Sequence, residues 1–211
     1  MKYLLPILFI TILMSCKKDP IIYKYSGQLT DKNTASIIPN ATIKFYQKKI
    51  NVNALNPNYI FVGETTSDSE GNYTFEFLRE KILEIKVEVS HGDFYGTQKV
   101  ISSADISTEN VNIADFKMES KAWISVRLYN SFVVQGEQLN FYKHNVKEGC
   151  STCCTNGYTI ATENTPDTTF VCNVIGDVVF NYTYGEVTAN TSTNGSIYCV
   201  KGDTNDIYIQ Y

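Results

Sequence analysis

The sequence is poor in the residues on which most catalytic chemistry depends. It has two histidines, His91 and His144, so an imidazole base or metal ligand has only those two sources. No Gly-x-Ser-x-Gly elbow, His-Glu-x-x-His helix or glycine-rich phosphate loop occurs, which removes the usual signatures of serine hydrolases, zinc peptidases and nucleotide-binding enzymes. Positive charge is scarce as well. With 18 Lys and Arg against 22 Asp and Glu the net charge is −4, so nucleic acid is not an expected partner. Beyond the first apolar segment, no run approaches the roughly 20 residues that cross a bilayer as a helix.

That first segment is the most informative stretch present. Lys2 precedes an almost wholly apolar run from Leu4 to Met14, too short for a transmembrane helix and suited to the core of an export signal. The run stops at Leu13-Met14-Ser15-Cys16, with Lys17-Lys18-Asp19 directly behind it. Leu13, Ser15 and Cys16 stand at the spacing of a bacterial lipoprotein signal, which this N-terminus resembles. The resemblance implies cleavage of residues 1–15, a thioether-linked diacylglycerol and an amide-linked acyl chain on Cys16, and a tether over residues 16–22. Each buried methylene adds about 0.8 kcal/mol, so several chains together hold a protein on a membrane. Lys17 rather than an aspartate after the cysteine points to the outer membrane, by resemblance to bacterial sorting signals. An ordinary secretory signal, the rival reading, fits the abrupt apolar-to-cysteine boundary less well.

The remainder has the composition of strands and turns: 15 Tyr, 11 Phe, and Gly and Asn recurring between short alternating runs. An all-β fold is expected, as two consecutive β-sandwiches over residues 23–119 and 120–211, joined at the polar Glu119-Ser120-Lys121. In the first half, strands are expected at Tyr23–Asp31, Ile38–Tyr46, Tyr59–Thr66, Leu83–Val89, Phe94–Ile101 and Val111–Met118. Ser67-Asp68-Ser69-Glu70-Gly71-Asn72, ahead of alternating Tyr73, Phe75 and Phe77, reads as a hairpin turn. Gly71 would take a positive φ there and Asp68 would bond the backbone ahead of it.

Gly27, Leu29 and Asp31, then Ile38-Pro39-Asn40-Ala41, then Thr66, Asp68, Gly71, Tyr73 and Phe75 resemble the carboxypeptidase regulatory-like domain, a seven-stranded, transthyretin-like β-sandwich. The resemblance spans Tyr23 to Met118. Asn40 stands where glycine is commoner, and Asn is the residue that best replaces glycine in the left-handed region. The resemblance implies a folding module without catalytic residues of its own, of a kind placed in secreted enzymes, outer-membrane transporters and surface proteins.

The second half resembles no family. Strands are expected at Ala122–Tyr129, Gln138–His144, Tyr158–Glu163, Thr168–Ile175, Val178–Tyr184, Ser196–Val200 and Asp206–Tyr211, again a sandwich. This half holds five cysteines: Cys150, Cys153, Cys154, Cys172 and Cys199. An exported chain enters an oxidising space, so disulfides are expected. Five thiols allow at most two bridges, and their connectivity is open. Cys172 and Cys199 alternate with apolar neighbours on strands, whereas the other three lie in a loop. Zinc or copper in that loop is the alternative, but the second cysteine pair of a four-ligand site is missing. Cys172, Cys199 or His144 would have to complete it through folding. A redox-active Cys150-x-x-Cys153 lacks the helix start that lowers a thiol pKa. No cofactor is expected.

His91-Gly92-Asp93 brings a histidine close to a carboxylate and Asp68-Ser69-Glu70-Gly71 brings two carboxylates together, and both read as turns rather than a catalytic or metal pair or a calcium loop. The whole reads as a lipid-anchored, non-enzymatic binding or scaffold module of the outer membrane, periplasmic or surface-facing. Its partners would be the membrane, through the anchor, and an envelope protein or glycan. Tyrosines beyond those that fill strand faces would stack on sugar rings or protein. A structural subunit of a surface or transport complex, paired through an edge strand, is the alternative. A hydrolase would need a carboxylate pair that nothing singles out among 22 acidic residues.

Overall fold

The computed structural model describes residues 20–49 and 58–211; the apolar leader and Cys16 lie outside the described residues. Among the described residues the regular structure is fifteen strands and one short 3-10 turn. Alternation decides which side of each strand is buried: in β2 (Thr42–Lys49) Ile43 and Phe45 point inward, while Lys44 and Tyr46 stay half-buried on the other face.

Two sheets enclose the first core. One holds β4 (Asn72–Leu78), β1 (Ile22–Asp31) and, end to end along the far side of β1, β7 (Asn112–Ile113) and β8 (Phe116–Met118). The other runs β3 (Ile60–Thr66), β2, β5 (Ile82–His91), β6 (Phe94–Ser102). Between them lie Tyr25, Leu29, Ile43, Phe45, Tyr73 and Ile85, with Phe75 and Phe77 packed alongside. Fully burying one such side chain contributes roughly 1.5–3 kcal/mol.

The second core is enclosed the same way. One sheet is β12 (Asp167–Ile175), β9 (Lys121–Tyr129), β15 (Thr204–Gln210); the other is β11 (Gly157–Thr162), β10 (Gln138–Lys143), β13 (Val178–Glu186), β14 (Thr193–Cys199). Counted from the start of each sandwich, the order is fourth-first-last in one sheet and third-second-fifth-sixth in the other. In both, only the first and last strands pair in parallel. The half of the chain with no evident relative therefore repeats the path of the half before it.

Three elements differ from expectation. The run from Ile38 does not enter a strand until Thr42. Asn40 sits at φ 57°, and Ser67 Oγ accepts from Ala41 N and donates to the Ile38 carbonyl, which makes residues 38–41 a turn. The expected hairpin at Asp68 is instead a corner. β3 pairs with β2 and β4 with β1, so the turn crosses from one sheet to the other. Its chemistry is as expected, with Asp68 Oδ1 accepting from Glu70 N and Asn72 N and Gly71 at φ 74°. Finally, Val111–Met118 is two short strands. Between them Ala114 tucks against Gly27, and Asp115 Oδ1 accepts from Gln28 N at 2.9 Å. A Cβ on Gly27 would lie 2.2 Å from the Ala114 carbonyl oxygen, so only glycine fits.

Glu119-Ser120-Lys121 is stitched to both sandwiches. Tyr95 N donates to the Glu119 carbonyl and Lys121 N to that of Asp93, while Gly176 N donates to the Ser120 carbonyl. Lys32 and Lys147, one from each half, both bind the Glu119 carboxylate. Burial opposes ionisation of Glu119, but the two lysines outweigh it and hold the carboxyl below the usual range. Tyr95 reaches across to donate to the Val174 carbonyl at 3.0 Å. Because Asp31 pairs with Met118 beside this joint, β1 runs from Ile22 at one pole toward the junction. β9 runs onward from Lys121 to Tyr129 at the opposite pole.

Candidate functional site

The cysteines resolve into Cys150–Cys153, Cys154–Cys172 and a free, buried Cys199, whose thiol is pushed up to about 11 by burial. Cys172 and Cys199 share the second core but are not bridged, because Cys154 of the loop takes Cys172. Cys154–Cys172 holds the β10–β11 loop onto β12, helped by Cys154 N donating to the Asn173 carbonyl and Asn173 N to that of Thr152, while Cys150–Cys153 closes a tight ring within the loop. They also take up the three sulfurs on which the metal reading depended. Among the described residues no group of three or more His, Cys, Asp or Glu is arranged to hold an ion.

His91 is a turn residue: its Nδ1 accepts from Asp93 N at 3.2 Å, and its ring lies edge-on to Phe94. His144 is placed differently. In β10 Leu139, Phe141 and Lys143 are buried, so Asn140 and Tyr142, and His144 just beyond the strand, share the outward face. Tyr142 pairs with Tyr158 of β11 on one side and with Thr183 of β13 on the other. The Tyr142 ring lies 5.0 Å from that of Tyr158 and 4.8 Å from that of His144. Three rings, inclined to one another by 51° and 70°, thus make a stepped shelf whose outer member, Tyr158, is 64% exposed.

A wall rises at one end of the shelf. The β13–β14 turn folds back over Gly185, where a Cβ would lie 2.0 Å from the Thr191 carbonyl oxygen. Thr191 fastens the turn by donating its N–H to the Glu186 carbonyl while its hydroxyl accepts from Glu186 N. Asn190 takes the left-handed conformation that the turn needs, at φ 50°. Shelf and wall bound a cleft of about 520 Å³, lined by aromatic rings, amides, hydroxyls and Glu186, and by no lysine or arginine.

The hydrogen bonds fix what the histidine does. Thr183 Oγ1 donates to Asn194 Oδ1 at 2.7 Å, and His144 Nε2 lies 2.8 Å from the same hydroxyl. The three side chains thus form one hydrogen-bonded chain, His144–Thr183–Asn194. The arrangement fixes the orientation of these polar groups at the edge of the cleft.

The period-two reading of Gln138–His144 already implied that Asn140, Tyr142 and His144 share a face. It could not show that Thr183, Asn194 and the residues 186–192 come to the same place, because those contacts depend on the pairing of β10 with β13 and of β13 with β14.

No family model matches the chain, and no curated protein matches it. Among solved structures it is similar to the Bacillus anthracis TIE protein, at 11% identity and a TM-score of 0.41 over 90% of this chain, which corresponds to 34% of that one. It is also similar to GBS52, a minor pilin of Streptococcus agalactiae (12% identity, TM-score 0.38, 89% of this chain and 94% of that one). A shaft pilin, SpaA of Lactobacillus rhamnosus GG, overlaps at 10% identity and TM-score 0.36, over 91% and 98% of the two chains. The chain spans about a third of the length of the first of these. Overlaps this loose define neither ancestry nor chemistry.

Proposed function

We propose that this chain is a lipid-anchored, non-enzymatic binding module of the bacterial envelope, held at the outer membrane by acyl chains on Cys16. The observation that carries this reading is the polar layout. Ile22, where the tether enters β1, lies at one pole, and the second sandwich with its cleft lies beyond the joint. Tension or binding at the far sandwich would pass through the backbone bonds and the Lys32–Glu119–Lys147 cluster of the junction. The first sandwich, read as carboxypeptidase regulatory-like, serves as a spacer, and the second repeats its strand order with a differently furnished surface.

The test is detergent phase partitioning of the natively exported protein, with mass spectrometry of the first peptide. The wild type is expected in the detergent phase with a modified Cys16, and Cys16→Ser in the aqueous phase. An unmodified Cys16 thiol in a water-soluble wild type overturns the anchor.

A second reading, a subunit of a surface or transport assembly, is favoured by one feature of the far pole. Phe132, Val133 and Val134 are exposed side by side on the β9–β10 loop. The loop is nonetheless well bonded: Asn130 Nδ2 donates to Glu137 Oε2, Phe132 N donates to Asn130 Oδ1, and Gly136 N donates to Glu163. A rigid loop that displays three apolar side chains suits a protein contact. One stoichiometric neighbour in cell crosslinking, lost in Phe132→Ser, would support it.

A further inference from the structure

We infer that the cleft over β10, β11 and β13 is a binding site for a neutral saccharide, stacked on Tyr142 and Tyr158 and held by the amides and hydroxyls around them. This rests on the reading of the second sandwich as a binding unit and gives that unit a ligand class.

The argument is a comparison within the chain. In the first sandwich the corresponding sheet has the same motif on its outward face: Tyr46 of β2 pairs with Phe61 of β3 on one side and with Lys86 of β5 on the other. There a cation lies over the central ring, although Phe61 beside it is 53% exposed. The Lys86 amine lies 4.7 Å from the centre of the Tyr46 ring and 4.6 Å from that of Tyr59. Lys44, Lys48 and Lys86 are each paired with a glutamate across the face. The cleft on that face, of about 530 Å³, is lined by charged Lys44 and Glu88 beside Tyr46. In the second sandwich Thr183 stands where Lys86 stands in the first, and neither lysine nor arginine lines the cleft. The tyrosine shelf is uncovered.

The chemistry around the shelf selects the ligand. A pyranose offers an apolar face of C–H groups, which fits a tyrosine ring, and a rim of hydroxyls that are both donors and acceptors. Asn140, Asn190 and Ser192 supply uncharged partners for that rim, and the His144–Thr183–Asn194 chain fixes the orientation of another set. With Glu186 as its carboxylate and no cation, the cleft disfavours sulfated, phosphorylated or uronic-acid polymers. A volume of about 520 Å³ falls in the range of drug-sized ligands, which a disaccharide unit fills. The exposed Tyr158 edge leaves room for a longer chain to continue past it.

Affinity electrophoresis of the mature chain in gels containing amylopectin, xyloglucan, mannan or arabinoxylan tests this, with polygalacturonate as the acidic comparison. Retardation by at least one neutral polysaccharide is expected. Tyr142→Ala and Tyr158→Ala should each weaken it at least tenfold, while Tyr46→Ala leaves it unchanged. Thermal melts of each variant establish that it is folded, and Tyr158→Phe, which keeps the ring, should retain most of the binding. No retardation by any neutral polymer, retardation by polygalacturonate alone, or retardation insensitive to Tyr142→Ala in a folded protein overturns the assignment. Phase partitioning of the same preparations reports the anchor separately, so an anchored protein without retardation refutes the saccharide site alone.

Discussion

The two sandwiches follow one strand path and are held together by different means. The first has a ring-rich core, in which Phe45 stacks on Phe75 at 4.5 Å and Tyr25 on Phe77 at 5.9 Å, and it contains no cysteine among its described residues. The second has a mainly aliphatic core of Ile124, Val126, Leu128, Leu139 and Ile207, and uses two disulfides to hold a long loop. Their outward faces differ too, with lysine–glutamate pairs around Tyr46 in the first and an uncharged ring cluster around Tyr142 in the second. Path and surface are separate properties. Inward residues decide the strand order, and outward ones are free to be neutralised or left available.

The largest effects should come from glycines that the path itself requires. Gly27→Ala drives a Cβ into the Ala114 backbone, which cannot swing aside as a flexible side chain would. A loss of about 3 kcal/mol is expected in the first sandwich. Gly185→Ala has an equally close clash, with the Thr191 carbonyl, but the clash lies in a surface turn. It should displace the cleft wall and weaken ligand binding with a much smaller change in stability. The only tryptophan, Trp123, belongs to the second sandwich. Its fluorescence therefore reports that half, whereas circular dichroism reports both. If Gly27→Ala moved the Trp123 transition as far as the dichroism transition, the two sandwiches would unfold as one unit.

Removing the Cys154–Cys172 bridge tests the other side of the contrast. It closes a loop of 18 residues, for which chain entropy gives about 3 kcal/mol. Cys154→Ala/Cys172→Ala should lower the denaturant midpoint read by Trp123, and a smaller change than about 1 kcal/mol would mean that β12 holds the loop unaided. Cys199 should stay unreactive toward a polar thiol reagent until the second sandwich unfolds, because burial disfavours its thiolate.

Much of this architecture is legible in the residues, and its limits are instructive. Alternation of Tyr23, Tyr25 and Leu29, or of Ile43 and Phe45, marks strands because a buried face needs every second residue apolar. Asp68 and Gly71 mark a tight turn for equally local reasons. Whether that turn joins partners or crosses between sheets depends on where β1 and β2 lie, and nothing local carries that information. The same limit hid the repeat of strand order, since Trp123 and Ile207 share no pattern with Tyr25 and Phe116. It also hid the cleft, whose wall and shelf are more than forty residues apart in places, as from Asn140 to Ser192.

Alkaline pH should act on both halves by a smaller, graded effect. Burial, with a minor contribution from neighbouring charge, raises the phenols of Tyr25 and Tyr73 far above their usual 10.0. The unfolded chain then loses these protons first. Stability is undiminished below about pH 10 and falls as pH rises above it, by about 1.4 kcal/mol per pH unit for each group. Both tyrosines are in the first core. Lys143, the buried amine of the second sandwich, has the opposite sign: desolvation lowers its pKa, so its folded state binds fewer protons and stability rises with pH up to its unfolded value of 10.5. The second core also holds groups that burial raises, Cys199 to about 11 and the phenols of Tyr182 and Tyr211. Urea midpoints read by dichroism and by Trp123 fluorescence should therefore both fall above about pH 10, and midpoints unchanged between about pH 9 and about pH 11 would contradict the burial of these groups.

The smallest and sharpest difference lies between two hydroxyls in one core. Tyr73 OH donates to the Ala114 carbonyl at 2.6 Å, helping to fix the break between β7 and β8. Tyr25 OH is buried without a partner. A phenylalanine at either position keeps the ring, so only the hydrogen bond and the desolvation of the hydroxyl change. Tyr73→Phe removes a donor and leaves a carbonyl unpaired, costing about 1 kcal/mol. Tyr25→Phe removes a group that is already unsatisfied and should be neutral or stabilising by up to about 1 kcal/mol. Urea midpoints of the two variants measure the difference directly. If Tyr25→Phe were the more damaging, its hydroxyl would have to be bonded, most simply by a buried water, and the first core would be less dry than its ring packing indicates.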